Sequence, residues 1–138
     1  MNAQTKRYLL DTNILTDLIK NPGGRVKQRI AAVGERNVCT SIIVACELRF
    51  GARKKNAPLL SARIESLLQA MEVLPLDGEV DRTYAEVRHA LETSGRSSGA
   101  NDLLIAAHAL NEDCILVTNN MSEFVHVPEL IVENWLAP

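Results

Sequence analysis

Apolar residues along the chain gather in short runs that alternate with longer stretches in which they recur every three or four positions. Tyr8-Leu9-Leu10 is one such run, closed by Asp11, and reads as a strand; Thr12 or Asn13 can cap a following helix through Leu18. Asn21-Pro22-Gly23-Gly24 then breaks the chain. Val26, Ile30 and Val33 return at helical spacing, with Gly34 as the stop. Val38 to Ser41 reads as a second strand, and Ile42 to Arg53 as a helix. Another helix carries Leu60, Ile64, Leu67, Leu68 and Met71 on one side. Val73 to Leu76 is a third strand, which Pro75 confines to an edge or a strand end. Val80, Tyr84, Val87 and Leu91 stripe the next helix, Gly95 to Gly99 is a loop, and Asp102 to Leu110 is an apolar helix. Cys114 to Thr118 reads as a strand, and Leu130 to Val132 as the last one.

Strands alternating with helices in this way imply βαβ units, an α/β fold with a central parallel sheet flanked by helices. No repeat, low-complexity tract or linker divides the 138 residues, so one domain over 1–138 is expected. In such sheets ligands bind beyond the carboxyl ends of the strands. Asp11 and Thr118 both fall there.

Composition narrows the class further. With 46% apolar and 23% charged residues, the chain has the profile of an ordinary soluble domain. Its longest apolar run, Leu103 to Leu110, is far short of the roughly 20 residues that span a bilayer. Asn2-Ala3-Gln4 gives way to Lys6-Arg7 without the pattern of a signal peptide. Cys39, Cys46 and Cys114 are odd in number and form no CxxC pair; buried thiols of a reduced, cytoplasmic protein are expected. Fifteen Lys+Arg against seventeen Asp+Glu give a net charge of −2, which excludes tight, sequence-blind coating of nucleic acid.

Three acids stand in apolar company. Asp11 ends a hydrophobic strand, Glu47 shares a helix face with Ile43, Val44, Phe50 and Gly51, and Asp102 shares one with Ile105, Ala106 and Ala109. A carboxylate on a buried face costs several kcal/mol unless it is paired or coordinates something. Asp11 and Asp102 have a structural alternative as helix caps; Glu47 has only a salt bridge. If the fold gathers all three, each pair about 5 Å apart repels by roughly 3 kcal/mol at an effective dielectric of about 20. Such a cluster takes up protons or binds a divalent cation, and all-oxygen ligands select Mg²⁺ or Mn²⁺ over zinc.

Leu9-Leu10-Asp11-Thr12-Asn13, Ser41 to Glu47-Leu48 with Gly51, Gly99-Ala100-Asn101-Asp102 with Ile105-Ala106-Ala107-His108-Ala109, and Val117-Thr118-Asn119-Asn120 occur in that order. Together, from about Tyr8 to Trp135, they resemble the PIN-domain ribonucleases, and within these the VapC toxins of toxin–antitoxin modules. The resemblance implies an α/β/α sandwich and a Mg²⁺- or Mn²⁺-dependent endoribonuclease. It also implies a homodimer held inactive by a VapB antitoxin, with structured RNA as substrate and the initiator tRNA anticodon loop as first candidate. By position, Asp11, Glu47 and Asp102 match the acidic metal-site residues, while Asn13, Ser41 and Thr118 match polar residues that orient them. Asn120 stands near the family's fourth acidic position as a ligand- or substrate-orienting residue, with Glu123 the only nearby acid. Ser97-Ser98 replaces the Pro and apolar residue usual before Gly99.

Arg49, Arg53, Lys54 and Lys55 follow Glu47 closely and read either as a solvated helix end or as a track for RNA phosphates. Gly95-Arg96-Ser97-Ser98-Gly99 satisfies G-x-S-x-G, but a helix precedes it where a nucleophile elbow needs a strand. His108 reads as a satisfied helix histidine, His89 and His126 as surface residues, and Trp135 as a packing anchor. A phosphoacceptor receiver would need a mid-chain Asp and a late Lys, and there is no Asp between Asp17 and Asp77 and no Lys after Lys55. The more serious rival is a PIN-like module that binds RNA or a partner without cleaving.

Overall fold

The computed structural model describes residues 6–138, so the reading of Asn2 to Gln4 lies outside the described residues. The elements are β1 (Arg7–Leu10), α1 (Thr12–Lys20), α2 (Arg25–Val33), β2 (Val38–Ser41), α3 (Ile42–Lys55), α4 (Pro58–Ala70), β3 (Glu72–Leu74), α5 (Val80–Thr93), α6 (Ala100–Asn111), β4 (Cys114–Val117), α7 (Met121–Phe124) and β5 (Val132–Glu133). Among the described residues the five strands form one parallel sheet in the order β3-β2-β1-β4-β5, flanked by helices.

Two boundaries differ from the sequence reading for physical reasons. β3 stops at Leu74, because Pro75 has no N–H to continue the ladder. The last strand lies at Val132–Glu133 rather than Leu130–Val132. There the register Leu116↔Val132 and Val117↔Glu133 lets Thr118 N–H donate to the Glu133 carbonyl at 2.9 Å. The short α7 has too few turns to leave a periodic signature in the sequence.

The central strands are buried on both faces, and Leu9, Leu10, Leu116 and Val117 are wholly inaccessible, as a sheet covered by helices requires. Trp135 closes the core beside Tyr8, ring centroids 5.4 Å apart, and donates its indole N–H to Glu133. Among the described residues no helix is long and apolar enough to cross a membrane. The cysteines depart from expectation in one respect. Cys39 and Cys114 are buried, whereas Cys46 lies on the outer side of α3 and is exposed.

The strand order reverses direction between β1 and β4, and such a switch point opens a crevice beyond the carboxyl ends of the strands. Asp11 extends the ladder there by donating its N–H to the Val117 carbonyl at 2.9 Å.

Candidate active site

Asp11 is the N-cap of α1, its Oδ1 accepting the Thr12 N–H at 2.8 Å. Capping does not exhaust it. Thr118 Oγ1 donates to Oδ2 at 2.8 Å, and the Asn13 amide lies 3.4 Å from both Oδ2 and the Thr118 hydroxyl. Asn13 is held in turn by the Asn119 N–H, which donates to its Oδ1 at 2.8 Å. Asp11 and Thr118 are both buried. Burial pushes the Asp11 carboxyl above its ordinary value, the Thr118, Thr12 and Asn13 hydrogen bonds pull it back, and the Glu47 charge pushes it up again.

Glu47, on α3, has both oxygens engaged. The Thr12 hydroxyl donates to Oε1, and the Asn101 amide donates to Oε2 at 3.2 Å. Neither partner was identifiable from the sequence, because each contact joins residues 35 or 54 positions apart. Asp102 lies in the first turn of α6, whose N-cap is Gly99, so Asp102 is not a cap. Burial and then the charges of Asp11, Glu123 and Glu47 push its carboxyl up to about 6, and no hydrogen bond offsets them. Asp102 therefore senses three other acids, and Glu123 acts on it ahead of Glu47.

The remaining sequence-predicted residues separate into those that join this cluster and those that do not. Asn120 is exposed and enters through its backbone, its N–H donating to Thr118 Oγ1 at 3.0 Å; the negative charge near that position comes from Glu123, three residues on. Ser41 stands at the same sheet edge but does not orient the acids. Its hydroxyl caps α3 through the Ile43 N–H at 3.0 Å and lies 2.8 Å from His108 Nδ1. His108 Nε2 donates to the Pro75 carbonyl at 3.1 Å, which leaves Nδ1 to accept the Ser41 proton. His108 is thus buried and satisfied, and burial lowers its pKa. Arg49 is drawn off the proposed phosphate track by Glu65, which accepts from Nε at 2.8 Å and from an η nitrogen at 2.9 Å. Arg53, Lys54 and Lys55 remain exposed in the last turn of α3, without ion pairs among the described residues.

Among the described residues, no three His, Cys, Asp or Glu side chains are gathered tightly enough to form a ready-made metal cage. The donor set nevertheless fits a hard divalent ion. All the converging groups are carboxylate oxygens, Asp102 carries no hydrogen bond that a ligand would displace, and mutual repulsion favours any cation placed between them. Asp11, Glu47 and Asp102 are the residues that would hold it, with Glu123 in reach of Asp102.

Comparison with known proteins identifies the family. The model of the PIN domain matches residues 8–130. The ribonuclease VapC2 of Rickettsia felis is 37% identical over 130 residues, covering 93% of this chain and 97% of that protein. A tRNA(fMet)-specific endonuclease VapC of Shigella flexneri is 35% identical over 130 residues, with 94% and 98% covered. In structure, the chain is similar to a chain of the DNA-bound VapBC from Salmonella typhimurium, with a TM-score of 0.88, 32% identity and coverage of 95% and 99%.

Proposed function

Because the chain belongs to the PIN-domain family and, within it, to the VapC ribonucleases, we propose that it is a metal-dependent endoribonuclease toxin controlled by a VapB-type antitoxin. The observation that carries this reading is the like charge that Asp11, Glu47, Asp102 and Glu123 bring to the switch-point end of the sheet, with no cation paired to any of them among the described residues.

In this reading Asp11, Glu47 and Asp102 hold Mg²⁺, with Mn²⁺ as a substitute, and Glu123 supplies the fourth carboxylate for which Asn120 is chemically unsuited. The bound ion supplies charge neutralisation for the phosphodiester and acidifies an attacking water. Thr118 and Asn13 fix the Asp11 carboxylate, while Thr12 and Asn101 fix that of Glu47, so both oxygen pairs face the reaction pre-oriented. Arg53, Lys54 and Lys55 offset the repulsion between the acids and an RNA backbone. A relative named for tRNA(fMet) makes the initiator tRNA the first substrate to try. The protein is expected to act in the cytoplasm as a homodimer; the exposed Cys46 and Phe50, one turn apart on α3, are a suitable apolar face for a second copy.

The test is cleavage of total tRNA by the antitoxin-free protein in Mg²⁺, Mn²⁺ or EDTA. Cleavage restricted to the metal-containing reactions, and lost in Asp11→Asn, is the expected result. An inert wild type whose effect on growth matches that of Asp11→Asn would favour a binding module without catalysis.

A further inference from the structure

A narrow groove of about 170 Å³ leads away from the acids between α1 and α3. Each of these helices contributes one stripe of residues four apart, Thr12, Thr16 and Lys20 from α1 and Glu47, Gly51 and Lys55 from α3. Ile19, Leu48 and Ala52 with Leu60 and Ile64 of α4 form an apolar wall. The two stripes match in character as well as spacing. Both begin at the Thr12–Glu47 contact beside the acidic site, both are small in the middle, and both end in an exposed lysine. Eight residues of helix span about 12 Å, so the cations stand two turns from the acids. Neither Lys20 nor Lys55 takes part in an ion pair among the described residues, whereas Arg49 on the same helix does.

Gly51 is the residue that local propensity does not explain. It sits in the interior of a fourteen-residue helix, where glycine is less favourable than alanine. No neighbouring backbone forces the choice: a Cβ built at Gly51 meets nothing within 4 Å. Its missing side chain leaves space in the groove.

We propose that this groove is a subsite for the RNA strand flanking the cleaved bond, seating a base over Gly51 and Thr16 and the phosphates beyond it on Lys20 and Lys55. This assignment rests on the ribonuclease reading and extends it. Continuity with the acids favours RNA as the occupant, since a strand with one phosphate at the reaction centre must leave by an adjoining channel. The order of acid, small and basic residues along α3, beside an apolar wall, matches a strand in which a metal-held phosphate is followed by a base and then by further phosphates.

The experiment compares Gly51→Ala, Gly51→Leu and the double variant Lys20→Ala/Lys55→Ala with wild type. It reads tRNA cleavage, binding of labelled tRNA in an Asp11→Asn background, and Mn²⁺ affinity. Arg36→Ala, in the turn that leads into the amino end of β2, is the cation control. The double variant is expected to raise KM about tenfold with kcat within about twofold. It should also reduce the slope of log affinity against log salt by about 1.4, the contribution of two single-strand phosphates. Gly51→Leu should raise KM at least as far without lowering Mn²⁺ affinity. Gly51→Ala should fold at least as stably as wild type and raise KM less, which separates blocking from misfolding. A wild type that cleaves tRNA alongside Gly51→Ala and lysine variants with unchanged KM and salt slope overturns the subsite while leaving the ribonuclease reading intact. A wild type that cleaves nothing overturns that reading instead. If Gly51→Leu blocks recapture by the co-purified antitoxin but leaves tRNA KM unchanged, the groove seats the antitoxin and the RNA assignment is overturned.

Discussion

The two edges of the one parallel sheet treat charge in opposite ways. At the amino edge, Arg7 is paired with Glu72 across three strands and Lys6 with Asp113 at 3.2 Å, while the buried thiols of Cys39 and Cys114 rest 4.0 Å apart. At the carboxyl edge, Asp11 and Glu47 have neutral hydroxyls and amides as partners, Asp102 feels the charges of Asp11, Glu123 and Glu47, and among the described residues none of the four is paired with a cation. The same strands supply both edges, so the difference is not forced by the fold. The amino edge is arranged to be stable by itself, and the carboxyl edge is arranged to be completed by something positive.

The largest effect that would break this contrast is catalytic. Asp11→Asn keeps the shape of the cap yet is expected to lower tRNA cleavage on the order of 10²–10³-fold, measured as initial rate in Mg²⁺; an unchanged rate would reduce Asp11 to a structural residue. Next comes metal-free stability. Asp102 holds its proton up to about 6 in the folded state against an ordinary 3.8. The folded protein therefore gains on the unfolded one as pH falls from about 6 toward 4, and loses that gain as pH rises again. Asp102→Asn is accordingly expected to unfold about 2 kcal/mol less readily than wild type at pH 7 in EDTA, after discounting for the solvent that reaches the side chain. The advantage should vanish near pH 4 in thermal melts. A variant less stable than wild type at pH 7 would show that the carboxylate is structurally favourable.

Adding Mg²⁺ at about ten times its Kd should stabilise wild type by about 1.4 kcal/mol and Asp11→Asn or Asp102→Asn by less, as read from the shift in denaturation midpoint. Equal gains would place the ion elsewhere. The smallest effect sharpens the other side of the contrast. Arg7→Ala, which breaks an exposed pair at the amino edge, should cost about 1 kcal/mol or less and leave the cleavage rate unchanged.

The sequence made the scaffold legible because scaffold information is local. Periodicity placed the strands at Tyr8, Val38 and Cys114 and the helices between them, and strand ends pointed to Asp11 and Thr118. Partnerships were harder. Asn101 reaches Glu47 across 54 positions and Ser41 reaches His108 across 67, and neither contact leaves a repeating mark in the chain. Ser41 looked like a site residue because it matches a polar position of the family it resembles; only its geometry shows the hydroxyl already committed to a cap and an imidazole. Arg49 looked free because its partner, Glu65, lies on the next helix. Glu123 could be named only as the nearby acid, three residues past Asn120; its charge on Asp102 becomes visible once α7 folds it back.

The pairing of β1 with β4 has a consequence for how the protein is made. Asp11 is made 107 residues before Thr118, whose hydroxyl orients it, and the strand that brings Thr118 into place, Cys114–Val117, follows the intervening helices. A ribonuclease made beside ribosomal RNA thus lacks an assembled site until the strand that carries Thr118 has been translated. A copy cut off before Cys114 carries Asp11 without its neighbouring strand β4 and without the hydroxyl that orients it.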